Sequence, residues 1–444
     1  MTTPRFAPVS AALAACALLG AVCFVPSVLG RQANEDAQTE YLTATPNDPV
    51  SRLQKRIASG ELKLDYYNRH GFLRAVLREL NIPYASQTLV FSKTSFQRDH
   101  ISGQSPRALY FNDDTYVGWV QNGNVLEIST TDARLGQVFY TLRQTQTERP
   151  RFERQTFECL TCHRSASGDN TPTLLARSLF THADGNPDFG AGSFATTPQS
   201  PFHERWGGWY VTGRHGLIRH MGNSWAQGAD GAPTLDTEKG ANVADLRGRL
   251  NVTPYLSRGS DIVALLVLAH QIQVHNALTR TAFLTRDALR DERTMNSLDR
   301  LPADNPRSAT ARRVQYATEP LVQALLFSGE TPLVNPVSGS PDFARLFARN
   351  AKREAQGRSL RDLDLNRRLL RYPCSYLIYS EAFNGLPTPA KTYVYTRLHE
   401  ILSGHDKTPA FAHLSNDDKK AIGEILTATK PDYAAFVAAQ TFNR

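Results

Sequence analysis

The chain has 444 residues, 41% hydrophobic and 21% charged, with five cysteines and a formal net charge of +8. That length supports one large or two to three ordinary domains with real cores, and the balance excludes a disordered or fibrous chain. The positive charge is spread among interspersed acids, with only short basic pairs at 312–313 and 367–368, which argues against nucleic-acid binding and leaves a general attraction to acidic partners.

The first thirty residues carry one positive side chain, Arg5, followed by an apolar run from about Val9 to Leu29. This is the composition of an export signal, with Val28 and Gly30 placed for cleavage. At about 20 residues the run is also long enough to span a bilayer if it stays uncut. Lipid attachment at Cys16 is disfavoured because the apolar run continues past it. The protein is therefore expected to be periplasmic or otherwise exported, touching a membrane only through an uncleaved N-terminus. Removing Cys16 and Cys23 with the signal leaves Cys159, Cys162 and Cys374, too few for a disulfide framework.

Asp48 and Pro49 open a helix over about 49–59. A second follows over about 69–80, where Phe72, Leu73, Val76, Leu77 and Leu80 recur at helical spacing until Pro83 ends it. From 86 to 143 the period changes to that of strands in SQTLVFSK, RALYFNDDTYVGWV and NVLEIS, with a tight turn at Asn122-Gly123 and a fourth strand at GQVFYTLRQ. The segment CLTCH comes next. A second hairpin is expected over 206–222 with Arg214-His215-Gly216 at its turn and His215 in solvent, then an exposed loop over 226–242. Ser260 and Asp261 cap the apolar run DIVALLVLAHQIQVHNALTRTAFL, expected to be a buried central helix. Amphipathic helices follow near 309–328, 341–350, 388–403 and 415–429. The fold class is α+β. A signal or anchor occupies 1–30, a mixed portion with antiparallel hairpins 31–255, and a mostly helical portion packed on it 256–444.

A C-x-x-C-H string arises by chance in a chain of this composition roughly once in a thousand. A structural zinc site would need a second Cys or His pair at knuckle spacing, and none follows. A thioredoxin-type dithiol would need the motif to open a helix after a strand in a βαβ unit, whereas its flanks here suggest irregular structure. The haem interpretation uses every residue: Cys159 and Cys162 reach two vinyl groups of one porphyrin as thioethers, and His163 is delivered to the iron. Export supplies the compartment in which such attachment occurs.

These five residues resemble the attachment motif of c-type cytochromes. The longer context, RALYFNDDTYVGWV, RQTFECLTCH, FHERWGGWYVTG and RHMGN, is similar to a family of large exported monohaem c proteins of uncharacterised function. The resemblance implies one covalently attached haem c and is silent about the reaction; the first expectation is single-electron transfer with a redox partner protein. The alternative is a haem-dependent, peroxidase-like oxidoreductase with an open or His-lined distal site.

Met221 is the expected sixth ligand, because it lies at the end of the expected second hairpin with Trp206, Trp209 and Trp225 close around it in sequence, while Met295 sits among charges. His220 is the next choice. On the central helix, His270 and His275 point in different directions, Gln271 and His275 share a face, and satisfied core histidines are the default for both. Arg164, Arg205, Arg214 and Arg219 lie near the motif or the expected hairpin; one or two of them are candidates to pair with the haem carboxylates, with solvation the default for any one. Cys374 is expected to be a buried inert thiol. HADGNPDFG lacks the spacing of a calcium loop and is rejected.

Overall fold

Residues between 86 and 154 build a six-stranded antiparallel sheet whose spatial order is the chain order: β1 (Thr88–Val90), β2 (Arg107–Phe111), β3 (Thr115–Trp119), β4 (Val125–Asp132), β5 (Gly136–Arg143) and β6 (Phe152–Arg154). The computed structural model describes residues 40–164, 169–228 and 231–442, so the expected export signal, with Cys16 and Cys23, lies outside the described residues. By contacts the chain divides into Met1–Thr43 and Ala44–Arg444. The second unit runs through both the sheet and the helices, and the architecture is α+β.

The stretch RALYFNDDTYVGWV is two strands rather than one. Asn112 Oδ1 accepts from the N–H groups of Asp114 (3.1 Å) and Thr115 (2.9 Å), an Asx turn that reverses the chain. Asn122, at φ 59°, makes the expected tight turn before β4. The sixth strand, just ahead of the cysteines, was not expected.

Strand periodicity gives the sheet two faces. One carries Tyr140, whose hydroxyl donates to Asp48 Oδ2 (2.6 Å), and Trp119, packed edge-on against Tyr255. Asp48 caps the helix Pro49–Ala58, as predicted, by accepting from Ser51 N–H at 2.8 Å. The other face carries Phe139, Thr131, Glu127, Gly118 and Arg107, each placed there by the cross-strand register. The long helix Ile262–Leu298 crosses this second face, where His275 meets Thr131. With helices on both faces, β3 is buried along its whole length.

The long helix starts where Asp261 Oδ1 accepts from Val263 and Ala264 N–H groups at 2.8 and 2.9 Å. It is long and apolar enough to cross a membrane, yet 78% of its most apolar window is buried inside the protein. Helices Ser308–Leu325, Pro341–Arg349, Thr388–Leu402 and Asn416–Thr429 match the sequence expectation, and Pro431–Phe442 adds one. The second early helix is only Leu73–Glu79, because Tyr67 and Gly71 close a turn in front of it, with Gly71 at φ 55°.

The expected hairpin over 206–222 does not form. Trp206 (φ 66°), Gly208 (φ 81°) and Gly213 (φ 145°) break the extended backbone, so no ladder can propagate. The segment instead lends its main chain to three other places: Tyr210 N–H to Leu89 O, Thr212 N–H to Ser260 O, and Arg214 N–H to Ser338 O. His215, expected in solvent at the turn, is buried, with Nδ1 on Ile218 O (2.9 Å) and Nε2 receiving Asn242 N–H (2.9 Å).

Candidate haem site

Four residues after β6 the chain winds into one short helix, Glu158–His163, which holds the whole motif. Cys159 and Cys162, three apart, and His163, four past Cys159, therefore share one side of that helix. Both thiols are free, Cys162 exposed and Cys159 half-buried. Burial, then the nearby Glu127 and Glu158 carboxylates, push the Cys159 thiol up to about 12. The motif thus does follow a strand and open a helix. A dithiol exchanger nonetheless needs a thiol lowered toward neutrality, and this one is shifted the other way.

His163 packs its ring on Phe139 of β5, centroids 4.7 Å apart. Its Nδ1 donates to Thr173 O at 2.8 Å, while Thr173 N–H and Oγ1 return bonds to His163 O at 2.7 and 3.1 Å. Burial holds the imidazole below its usual value, with the Thr173 bond opposing. The neutral ring therefore carries its proton on Nδ1, and Nε2, which makes no hydrogen bond among the described residues, presents a lone pair. A metal-ligating histidine is oriented in the same way, by donating its other N–H to a carbonyl.

On the same face as Phe139 lies a charged pair, Glu127 on the adjacent β4 and Arg107 on β2, three strands away. Arg107 Nη1 meets Glu127 Oε2 at 2.8 Å, across the bare Gly118, while Ser95 Oγ (2.6 Å) and Gln97 Nε2 (3.3 Å) donate to Glu127 Oε1. Arg107 Nε is buried with no partner, a cost unless something absent from the polypeptide accepts from it. Large apolar side chains also stand exposed beside these residues: Phe157 at 80%, Phe96 at 66% and Leu175 at 47%. Phe157 precedes the motif helix, Phe96 lies between the two Glu127 donors, and Leu175 is two residues past Thr173.

A porphyrin fits this donor set. Two free thiols can take its vinyl groups, one imidazole nitrogen is free for its iron, and an orphaned guanidinium N–H suits a carboxylate. Among the described residues no group of three or more His, Cys, Asp or Glu side chains is placed to hold a metal ion, so a closed zinc site has no donors there.

The other expected ligands are held by partners outside the motif helix. Met221 is buried, its sulfur receiving Ser178 Oγ at 3.4 Å and its methyl beside Gly207; no hydrogen bond links it to Cys159, Cys162 or His163. His220 is buried against Trp206 with Nε2 3.2 Å from His215 Nε2, and burial pushes it down to about 3. His275 bonds Thr131 Oγ1 (3.1 Å) and Asp113 O (2.7 Å), and Gln271 on the same face donates to Asn112 O and Asp113 O. His270 bonds Ser375 Oγ (2.8 Å) and stacks on Phe327 at 4.0 Å. Cys374 is fully buried, its thiol pushed up to about 12 by burial.

Of the four arginines considered as carboxylate partners, the side chains of three are engaged elsewhere. Arg205 is buried on the carbonyls of Pro198 and Ser200, Arg219 pairs with Glu238, Arg164 Nε donates to Asn170 O, and Arg214 lends its backbone to Ser338. Thr173, Arg107 and Glu127 were missed because they reach the motif through tertiary contacts that carry no spacing signal. Compared with known family models, curated proteins and solved structures, the chain finds no match.

Proposed function

We propose that this chain is an exported monohaem c protein that passes single electrons to and from a redox partner protein. Cys159 and Cys162 hold the porphyrin covalently, and His163 ligates its iron. The bound group supplies the one-electron ferric–ferrous couple. The observation that carries this reading is His163: one ring nitrogen is fixed on Thr173 O, and the other is open beside two free thiols. The uncharged run from about Val9 to Leu29 supports export. Met221, whose sulfur is buried near Ser178, is the proposed sixth ligand.

The chain's own residues have separate tasks. Thr173 keeps the proton on His163 Nδ1 so that Nε2 faces the iron unprotonated. Arg107 Nε offers a donor to a porphyrin carboxylate, and the exposed Phe96, Phe157 and Leu175 provide apolar surface for its rim. Expression in a host able to attach haem c tests the reading. The expected product is a pigment that survives acid and organic extraction and is lost in Cys159→Ala/Cys162→Ala; a colourless wild-type protein overturns it. A low-spin ferric spectrum supports electron transfer. A high-spin spectrum that shifts with cyanide or peroxide replaces it with the haem-dependent oxidoreductase alternative.

A further inference from the structure

Asn276 lies on the long helix, about a hundred residues from the motif in sequence, and its amide grips both polar groups of Leu174. Leu174 N–H donates to Asn276 Oδ1 at 2.8 Å, and Asn276 Nδ2 donates to Leu174 O at 2.9 Å. Leu174 N–H belongs to the same planar peptide unit as Thr173 O, the oxygen that receives His163 Nδ1–H at 2.8 Å. In a trans peptide the C=O and N–H point in opposite directions. That one unit is therefore strung between Asn276 on one side and His163 on the other.

We infer that Asn276 is a positioning residue for the iron ligand, acting through the Thr173–Leu174 peptide to set the strength of the His163 Nδ1 hydrogen bond. The inference rests on the haem reading above. Gripping the N–H fixes the rotation of the peptide plane, and with it the aim of the carbonyl. A well-aimed carbonyl draws the proton from Nδ1, makes Nε2 a stronger electron donor and favours ferric iron; a carbonyl free to rotate does the opposite. The helical half thereby sets the redox balance of a group attached to the sheet half. Arg280, one turn on, also ties the loop to this helix, through Asp169 at 2.5 Å, but it does not touch the relaying peptide and serves as the control.

The test compares wild type, Asn276→Ala, Asn276→Gln and Arg280→Ala. In holoprotein held at one fixed potential, Asn276→Ala is expected to shift the ferrous-to-ferric ratio upward by about threefold or more, with Asn276→Gln in between and Arg280→Ala unchanged. In the haem-free chain, the His163 Nδ1–H proton seen by NMR is expected to exchange with water about tenfold faster in Asn276→Ala than in wild type. Thermal unfolding reports whether Asn276→Ala folds; if it does not, Asn276→Gln decides. A wild-type ratio together with wild-type exchange overturns the inference. A wild type that attaches no haem fails the proposed function instead, and the exchange measurement still decides whether Asn276 orients His163.

Discussion

His163 and His275 begin alike. Each gives one ring nitrogen to a main-chain carbonyl, at 2.8 Å to Thr173 and 2.7 Å to Asp113. They differ in the second nitrogen: Nδ1 of His275 meets Thr131 Oγ1 inside a fully buried site, whereas Nε2 of His163 is left over in a half-buried ring next to two thiols. A satisfied histidine is part of the core, and a histidine oriented on one side only is equipped to bind something else. The sequence could place both residues among possible haem ligands, since residue type is the same. Only the accounting of the last lone pair separates them.

Exchanging the two tests this division most directly. His163→Ala is expected to remove the proposed iron ligand and change the spectrum completely, at a smaller cost to folding than loss of a fully buried ring because His163 is only partly buried. His275→Ala is expected to leave attached pigment in place and to cost about 3 kcal/mol, from a cavity plus stranded partners at Thr131 and Asp113. Absorption spectra and urea unfolding of both variants read the two effects separately. A pigment lost in His275→Ala while stability held would invert the comparison.

Acid sharpens it further. Burial lowers His275 to about 4 and His270 to about 3. The unfolded chain therefore binds protons near pH 6.5 that the folded chain refuses, and the stabilisation from these neutral rings, intact above pH 6.5, is lost as pH falls toward 4. For His275 this reaches about 3 kcal/mol by pH 4. Asp114 and Glu330, each raised to about 7 by burial, act with the opposite sign over the same interval, because the folded state takes up their protons first. The variant that isolates the imidazole is His275→Gln. Its unfolding free energy is expected to fall less between pH 7 and pH 4.5 than that of wild type, and an equal fall shows that the imidazole is not the responsible group.

Met221→Leu is a smaller change. Leucine conserves volume and is expected to cost less than about 1.5 kcal/mol, while the sulfur that now receives Ser178 Oγ disappears. If Met221 is the sixth ligand, the holoprotein turns from low-spin to high-spin with its fold intact; a persistent low-spin spectrum removes Met221 from the proposal.

The two halves of the site were unequally legible in the sequence. The motif declared itself because two cysteines and a histidine at that spacing are improbable by composition alone. The sheet was legible from its strand period and from Asn122-Gly123, and the long helix from its Ser260-Asp261 start. The segment 206–222 misled because its aromatic and β-branched residues imitate a hairpin while Gly208 and Gly213 break the ladder; Trp206 at φ 66° is a tertiary outcome that propensity does not foretell. Thr173, Asn276, Arg107 and Glu127 were invisible for a different reason. Each acts on the motif across the fold, through a carbonyl, an amide or a charge that no local pattern distinguishes from an ordinary loop or strand residue.

The arginines extend the comparison to charge. Arg219 gives Nε and Nη2 to Glu238, both at 2.7 Å, at the protein surface, so its hydrogen-bonding capacity is spent and solvent screens what remains. Arg107 is ion-paired too, but its Nε is buried and orphaned on the face that carries His163. Removing a cation near iron favours the ferric state, and removing this one also strands the Glu127 carboxylate there. Arg107→Gln holoprotein is therefore expected to shift toward ferric at a fixed potential, while Arg219→Ala matches wild type in both redox ratio and unfolding. The sequence put Arg219 among four candidates because it lies near the motif or the 206–222 segment. Nearness along the chain is a weaker guide than an unfilled hydrogen bond, and an Arg219→Ala shift matching that of Arg107→Gln would show the reverse.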